Sequence, residues 1–587
     1  MNRLPRVLAV AAITVLGVAF STSALAQGTG PPKFGSNTRA SVQVNPDNST
    51  GGGWNEPSGV TGSDGAQYVA FQFPSRLSRA TNDRNWSDTG YTKYQNSKTD
   101  GDFGDVTLAA DKAGTVFFSH INGNLEADID YTRDGGKTWR TAFNVAQLHT
   151  QTSASPFLVD RPWIAAYSPD TDFHHTRVYM EYHDFAPSVV WVVPCSMASG
   201  SLRCGAPEPV SNPQTACNSI PGGIAVAPPG SPHAGRVYAV WSTADPLTNV
   251  SSGCNITMLA PFYSIYVAFS DHADAGVGAH WKQAPVFIGP TDQEQCTPST
   301  IVGAPSCADV SEIFTPIAID QGGTAYVAFV DYLDSIDKNY DVYLESSPDG
   351  TTWNGKTNGS GLPVRVDHSP GTHFFPDVVA GDAGHVAVGY IGTPISTRPF
   401  TTDDTCPSEV PPLTSCAGKA MPVPPGAPWY AYVSMSTAGI SSSAFNEVRV
   451  SDRGVVIHYG DVCNLGIYCA GDQSTNRSLL DATKVFLDPK GRVCYAWTDQ
   501  RQDPNLRADA EGSNAQAKQQ PYDQVFTACQ VSGEQLTTPS APAPSAHRVT
   551  QLAPAGGGIP GPGIIAVIGL VTAVLIGALL ALRRRPT

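Results

Sequence analysis

A pattern of paired apolar strands recurs along this chain and limits what it can fold into. Each copy has a short apolar strand, a turn that contains Asp or Gly, and a second strand rich in Val, Tyr and Phe. The seven copies lie at 56–73, 104–120, 160–184, 222–242, 314–331, 375–390 and 481–499. One such hairpin cannot bury both of its faces, so the copies must pack against one another.

Radial repetition of four-stranded sheets buries hairpins of this kind. The copies begin roughly 50 to 105 residues apart, which leaves room for two more strands and variable loops in each unit. We therefore predict an all-β fold, a β-propeller of six or seven blades, over residues 51–538. A pair of β-sandwiches is the alternative, and the regular hairpins argue against it. The 56 Gly, 48 Pro and many aromatic residues agree with a turn-rich protein that has a large core.

The N-terminus predicts export. Residues 1–26 carry Arg3 and Arg6 before an apolar run and end in a small-residue segment, Ala24-Leu25-Ala26. A charged start, an apolar centre and an A-x-A site are typical of a secretory signal peptide. An N-terminal membrane helix is the alternative, but the run is short. Residues 27–50 then form an N-terminal extension.

The C-terminus predicts a membrane anchor. Residues 564–582 are 19 uncharged residues, long enough for a transmembrane helix, and three arginines follow at 583–585. Because positive charge stays in the cytoplasm, the propeller is expected outside the cell membrane and the basic tail, 583–587, inside. A clipped sorting signal is the alternative. Residues 539–563, rich in Pro, Gly and Ala, predict an extended spacer.

The charge balance excludes one class of partner. Residues 27–563 contain 31 basic and 51 acidic residues, a net charge of −20. A nucleic-acid-binding protein needs a basic surface, so no nucleic-acid partner is expected. An acidic surface suits solubility or bound calcium, so calcium is the one candidate cofactor and no cofactor is certain.

Twelve cysteines in an exported chain predict disulfides. They fall in close sequential pairs, and no C-x-x-C spacing suggests a metal site. The expected pairs are Cys195–Cys204, Cys217–Cys254, Cys296–Cys307, Cys406–Cys416, Cys463–Cys469 and Cys494–Cys529. Cys494 and Cys529 could instead pair with Cys463 or Cys469.

Two turns carry a family resemblance. Residues 132–139 read Thr-Arg-Asp-Gly-Gly-Lys-Thr-Trp, and 347–353 form a copy that is one residue shorter. This resembles the Asp-box, S/T-x-D-x-G-x-T-W, of the bacterial neuraminidase repeat, with eroded copies at 82–86 and 270–281. The chain therefore resembles sialidase-like Asp-box propellers over roughly 51–530. The resemblance implies a structural role, on outer strands and away from ligand, for Thr132, Asp134, Gly136, Thr138, Trp139, Ser347, Asp349 and Trp353.

Polar residues are expected at one end of the propeller channel. The first strand of each blade lines the channel, and the second runs back, so first-strand starts and second-strand ends share a face. First-strand starts supply Asp105, Asp160, Arg161, Asp377 and Asp481. Second-strand ends supply His120, Asp184, Asp331, Arg398, Asp499 and Arg501. We expect a ring of acids with several arginines.

Two roles are open for this ring. Paired carboxylates act on glycosidic bonds, and arginines clamp a substrate carboxylate. Asp160, Arg161, Asp377, Asp481 and Arg501 are the candidate catalytic residues. The candidate ligand-binding residues are Asp105, Asp184, Arg398 and Asp499. Local turn capping and pairing is the alternative for each residue taken singly.

The resemblance to active sialidases is incomplete. That family carries an Arg in an F/Y-R-I-P motif, two further Arg, a Tyr–Glu pair and an Asp acid, but no R-I-P occurs in this sequence. Glu56 stands near the expected first arginine, and Arg161, Arg398 and Arg501 could form a clamp. The favoured hypothesis is an anchored propeller that binds a glycan or a cell-surface protein. The alternatives are an exo-acting, sialidase-like glycoside hydrolase and a structural surface protein.

Overall fold

The computed structural model describes residues 30–42, 53–72, 75–91, 102–122, 126–142, 159–184, 189–212, 219–243, 262, 264–288, 297–298, 305–306, 314–333, 339–353, 363–399, 420–462, 476–479, 481–512 and 522–538. They form seven consecutive sheets of four or five strands, the blades of an all-β propeller. The larger of the two predicted blade numbers is therefore confirmed.

The strands of each blade run antiparallel from the channel outward. Blade 1 contains Asn55–Thr61, Gln67–Gln72, Arg76–Ala80 and Trp86–Asp88. Blade 2 contains Asp102–Ala110, Val116–Asn122, Ala127–Thr132 and Arg140–Thr141. Blade 3 contains Val159–Tyr167, Arg177–Asp184, Val190–Ala198 and Ser201–Cys204, with Glu208–Pro209 also paired to the third strand.

Blade 4 contains Ile220–Val226, Val237–Thr243, Ser264–Ser270 and Lys282–Ile288. Blade 5 contains Ile317–Ile319, Ala325–Asp331, Asp341–Ser347 and Val364–Arg365.

Blade 6 contains Thr372–Ala380, Val386–Thr393, Pro428–Ser436 and Asn446–Arg449, with His458–Tyr459 also on the third strand. Blade 7 contains Lys484–Leu487, Val493–Asp499 and Gln524–Ser532, completed by Lys33–Phe34 and Thr38–Arg39. Thr297–Pro298 and Pro305–Ser306 form a separate two-stranded ribbon. Each of the seven predicted hairpins supplies the inner two strands of one blade.

Helix is scarce in the described residues. One α-helix spans Leu506–Ala510, and 3₁₀ turns span Phe173–His175, Ala273–Gly278 and Ser442–Ala444. None of the described helices is long and apolar enough to cross a membrane. The predicted anchor at 564–582 and the signal peptide at 1–26 lie outside the described residues.

The core lies between neighbouring blades. Every residue of the second strands Val237–Thr243, Ala325–Asp331 and Val493–Asp499 is buried. Both faces of each sheet are covered by the next blades, so these strands are apolar without alternation until their last one or two residues, which are polar. Tyr326 and Val342 of blade 5, for example, belong to one buried cluster with Val388 of blade 6.

The N-terminal segment closes the ring. Lys33–Phe34 and Thr38–Arg39 pair with the last strand, where Thr38 lies opposite Thr527 and Lys33 opposite Ser532. The residues at 33–39, within the segment interpreted as an extension, are therefore the outer strands of blade 7. Pairing the first strands with the last protects an otherwise open edge.

Two of the predicted disulfides lie within the described residues, and both are formed. Cys195–Cys204 joins the third and outer strands of blade 3. Cys494–Cys529 joins cross-strand partners of blade 7, with Cα atoms 4.0 Å apart. The other eight cysteines lie outside the described residues.

Candidate ligand site at the channel mouth

The inner strands are bent where they begin, at the end of the channel that we call the mouth face. Glu56, Asp105, Arg161 and Phe375 have φ angles of 45°, 49°, 51° and 56°, and the strand register shifts at each position. A positive φ is uncommon for residues with a Cβ and costs roughly 1–3 kcal/mol. Four blades thus share the same strained backbone bend at the start of the inner strand, and backbone strain of this kind clusters at functional sites.

Arg161 is the centre of the mouth. Its guanidinium lies 2.6 Å from Glu56 of blade 1, 3.8 Å from Asp105 of blade 2 and 3.6 Å from Asp481, just before blade 7. It also lies over the Phe314 ring, 4.2 Å from the centroid. Although burial opposes the charge, these carboxylates raise the pKa of Arg161 above its ordinary value. One permanent cation therefore ties the inner ends of four blades together.

Asp105 and Asp160 form a carboxyl pair on the more exposed side of the mouth. Their side chains share a hydrogen bond and are 14% and 21% exposed. Burial, helped by the charges of Asp160 and Glu56, raises the pKa of Asp105 well above its ordinary value. Against burial, the hydrogen bond from His183, 3.1 Å away, lowers the pKa of Asp160. The pKa of one carboxyl group is thus raised and that of its partner lowered, an arrangement in which one group can donate and the other accept.

Asp481 is a deeper acid of the same cluster. Its side chain is 4% exposed, and Arg477 lies 2.7 Å away. Burial, together with the charges of Glu56 and Asp160, raises the pKa of Asp481 to about 6, against the attraction of Arg477 and Arg161. The charge of the cluster therefore changes in mildly acidic solution.

Asp377 lies on the next sector of the ring. Its Oδ1 is 3.1 Å from Lys484 Nζ, and its Oδ2 accepts the backbone N–H of Val485 at 2.7 Å. Asp377 and Asp481 line a cavity of about 10 Å³, which is room for one water molecule. A cavity of this size does not hold a sugar ring.

Arg501 lies apart from this cluster. Its guanidinium is 2.6 Å from Asp499 and 3.2 Å from Asp452 of blade 6, and it donates to Asn37 Oδ1 at 2.8 Å. Arg501 therefore ties the N-terminal segment to blades 6 and 7. Arg161 and Arg501 contact different carboxylates, so the structure does not bring them together in the expected clamp with Arg398.

The remaining ring residues also lie outside the Arg161 cluster. His120 Nε2 is 3.1 Å from Asp130 within blade 2, and Asp331 is buried at the end of its own strand. Arg398 is exposed and donates to a neighbouring carbonyl. Asp184 ends the second strand of blade 3, but its side chain is outside the described residues.

Sequence reasoning gave no role at the mouth to five residues, Glu56, Gln72, Arg477, His183 and Lys484. Glu56 accepts from Arg161 and from Gln72, at 2.6 and 2.5 Å. One signal could have found it, because Glu56, like Arg161 and Phe375, directly precedes a proline at the start of an inner strand. Proline in a sheet marks bulges, so the repeated x-Pro pattern marks the bends.

The two Asp-box-like turns lie at the opposite end of the blades, which we call the base face. Asp134 Oδ1 accepts the N–H of Thr138 at 2.9 Å, and Oδ2 accepts its hydroxyl at 2.6 Å. Asp349 accepts two backbone N–H groups in the same way. Trp139 and Trp353 each donate to the carbonyl three residues earlier, at 3.1 and 3.2 Å. The hydrogen bonds to the carboxylates of Asp134 and Asp349 lower the pKa of both aspartates to about 2.

One group among the described residues has the spacing of metal ligands, namely Asp341, Asp367 and His373. The Arg365 guanidinium lies 3.0 Å from Asp341 and 2.9 Å from Asp367. Calcium takes about six to eight oxygen ligands, and a guanidinium beside it would repel it. These residues therefore do not fit the expected calcium ion, because Arg365 already neutralises them.

The comparisons with known proteins show no family for this chain, and the fold is established by its own strand topology. No family model matches the sequence, and no curated protein is similar to it. Solved structures with a related outline include an α-L-arabinofuranosidase from Fusarium graminearum, with 12% identity, a TM-score of 0.36 and coverage of 61% of this chain and 93% of that chain. The Hadza microbial sialidase Hz136 has 12% identity, a TM-score of 0.34 and coverage of 59% of this chain and 64% of that chain. A six-bladed lectin of Aleuria aurantia has 11% identity, a TM-score of 0.33 and coverage of 72% of this chain and 100% of that chain.

The class that the fold defines is the β-propeller, with seven blades. Identities of 11–12% and TM-scores of 0.33–0.36 transfer no activity from these neighbours. The function therefore has to be argued from the mouth itself.

Proposed function

We propose that this protein is an exported, membrane-anchored propeller that binds a glycan at its channel mouth. The Asp105–Asp160 pair is the observation that carries the proposal. A carboxyl and a carboxylate side by side can donate to one sugar hydroxyl and accept from others. The strained backbone at Asp105 and Arg161 holds the pair in place before any ligand arrives, which lowers the cost of binding.

The rest of the cluster supports a rigid site. Asp105 and Asp160 surround the cationic Arg161, which is anchored by Glu56 and Asp481. The pair therefore has little freedom to lose when a ligand binds. Export and anchoring enter the proposal from the apolar segments at the two ends of the sequence.

A neutral glycan fits better than sialic acid. A sialic-acid clamp needs free guanidinium groups to grip the substrate carboxylate. The guanidinium of Arg161 already contacts Glu56, Asp105 and Asp481. A second carboxylate from a ligand would meet the ring of acids instead.

Glycoside hydrolysis is the second candidate, because Asp105 has a raised pKa and Asp160 a lowered one. This split is what an acid and its partner need. Retaining glycosidases, however, separate their two carboxyl groups by about 5 Å, and inverting enzymes by more. Asp105 and Asp160 are within hydrogen-bond distance of each other, so binding is favoured over hydrolysis.

The test is a glycan array probed with the full-length protein in detergent, followed by titration of the best neutral glycan. We expect the Asp105→Asn/Asp160→Asn variant to bind at least about tenfold more weakly, because both carboxyl groups of the pair are lost. Asp274→Asn, an exposed carboxylate of blade 4, is the matched control and should bind like the wild type.

Chromogenic glycosides form a second arm of the same test. Turnover that disappears in the double variant would replace the binding proposal with the hydrolase. Neutral glycans that bind the double variant and the wild type equally would exclude the mouth as the site.

A further inference from the structure

A groove on the base face has the opposite character to the mouth. It lies between blades 2 and 3 and has a volume of about 360 Å³, within the range of small-ligand sites. Arg133, Arg140, Thr138 and His174 are among its exposed lining residues. Because its lining holds two arginines and one carboxylate, Asp134, the groove stands out on a chain with a net charge of −15.

The two arginines of this groove form no ion pair. Within the described part of the chain, Arg133 and Arg140 have no carboxylate within salt-bridge distance, although other arginines such as Arg79 and Arg236 do. An unpaired exposed cation is ordinary when single. Two of them that line one groove form a local positive potential that attracts anions.

Arg133 is also held in position. Its guanidinium lies over the Phe173 ring, 4.0 Å from the centroid, and Phe173 is itself 6% exposed. This cation–π contact fixes the side chain at the groove wall. The donors of Arg133 are therefore oriented before a ligand binds.

The nearby acids do not cancel this charge by direct pairing. Both carboxylate oxygens of Asp134 accept hydrogen bonds inside the turn, from Thr132 and Thr138. On the facing loop, Asp170 pairs with His175 at 2.8 Å, and Asp172 accepts the backbone N–H of His174. Asp134 keeps its negative charge, but the two lining arginines outnumber it.

We propose that this groove binds a compact oxyanion, a sulfate or a carboxylate, carried on a sugar. Two guanidinium groups in one groove match the paired oxygens of such anions. A long polyanion is disfavoured because the acidic body would repel it. The sugar part of this ligand rests on the proposed glycan function, whereas the oxyanion part rests on the groove alone.

The experiment titrates the full-length protein in detergent, at low ionic strength, with galactose 6-sulfate, glucuronate, inorganic sulfate and galactose. We expect one or both anionic sugars to bind and galactose not to bind at this groove. Arg133→Gln/Arg140→Gln should weaken that binding about tenfold or more, because charge-assisted hydrogen bonds are lost. Added salt should weaken it too.

Arg507→Gln is the control, because Arg507 is an exposed arginine that pairs with Glu511 far from this turn in sequence. It should bind like the wild type. Anionic sugars that bind the double variant unchanged would overturn the proposal, and so would galactose competing at the groove. Inorganic sulfate that binds as tightly as galactose 6-sulfate would overturn the sugar part. The Asp105→Asn/Asp160→Asn variant should keep the groove, which separates this proposal from the mouth.

Discussion

At the scale of single residues, one arginine organises the mouth. Arg161 is 7% exposed and has three carboxylates around it, so its removal would leave buried charges without a partner. A buried pair is costly to break even where its net contribution to folding is small. The same residue that positions the proposed site is therefore a structural requirement of four blades.

Replacing Arg161 by Met should destabilise the fold by about 3–5 kcal/mol, because Glu56 and Asp481 lose their shared cation. Urea unfolding followed by tryptophan fluorescence measures the loss. The exposed pair of Arg507 and Glu511 offers the comparison, since Arg507→Ala should cost no more than about 1 kcal/mol. Equal losses of unfolding free energy in the two variants would show that Glu56 and Asp481 do not depend on Arg161 for their stability.

Asp481 should make stability fall as pH rises. Its pKa is raised to about 6 in the folded state, against about 3.9 in an unfolded chain. The folded state therefore binds more protons between these values, so the free energy of unfolding decreases from pH 4 to pH 6 through this group. Urea titrations at several pH values should show the wild type losing stability relative to Asp481→Asn over that window. A wild type that gains stability relative to Asp481→Asn as the pH rises would contradict the raised pKa.

At the scale of elements, the paired strands carry the stability of each blade. Cys494–Cys529 closes a loop with a sequence separation of 35 in the blade that also holds the chain ends. Cys195–Cys204 closes one of 9. Since a cross-link stabilises mainly by restricting the unfolded chain, the longer loop should gain more.

Removing Cys494 and Cys529 together by Ala substitution should therefore cost about 4 kcal/mol, and removing Cys195 and Cys204 about 3 kcal/mol. Thermal and urea unfolding of the two double variants gives both values in the same background. A larger loss for the shorter loop would show that packing around the sulfur atoms, rather than chain entropy, dominates.

The elements also show what the sequence could predict. The inner hairpins were recognisable because buried strands are apolar and their turns contain Asp or Gly. The outer strands were not, since Arg140–Thr141 and Val364–Arg365 are two residues long and carry no periodic pattern. The mouth was predicted in part, because strand starts fix a face. Glu56 received no role at the mouth because its contact with Arg161 spans 105 positions in the sequence.

At the scale of the whole molecule, the propeller is closed by strands from both ends of the folded region. Thr38 and Thr527 lie side by side, and Asn37 is held by Arg501. The described blades are therefore a closed ring in which the first and last strands depend on each other.

Deleting residues 30–42 should open this ring. We expect the backbone amides of Gln524–Ser532 to lose most of their protection in hydrogen exchange, because their partner strands are gone. The strand Val237–Thr243 of blade 4, covered by its own neighbours, should keep more of its protection. Unchanged exchange at 524–532 would mean that the N-terminal strands do not stabilise blade 7.

Hydrogen exchange of the full-length protein, with and without the neutral glycan that binds it best, shows whether the glycan binds at the channel mouth. We expect added protection in the inner strands Asp102–Ala110 and Val159–Tyr167, which carry Asp105 and Asp160. The base-face turn at 133–139 should be unchanged. Protection confined to that turn, or absent from both inner strands, would contradict the claim that the glycan binds at the channel mouth.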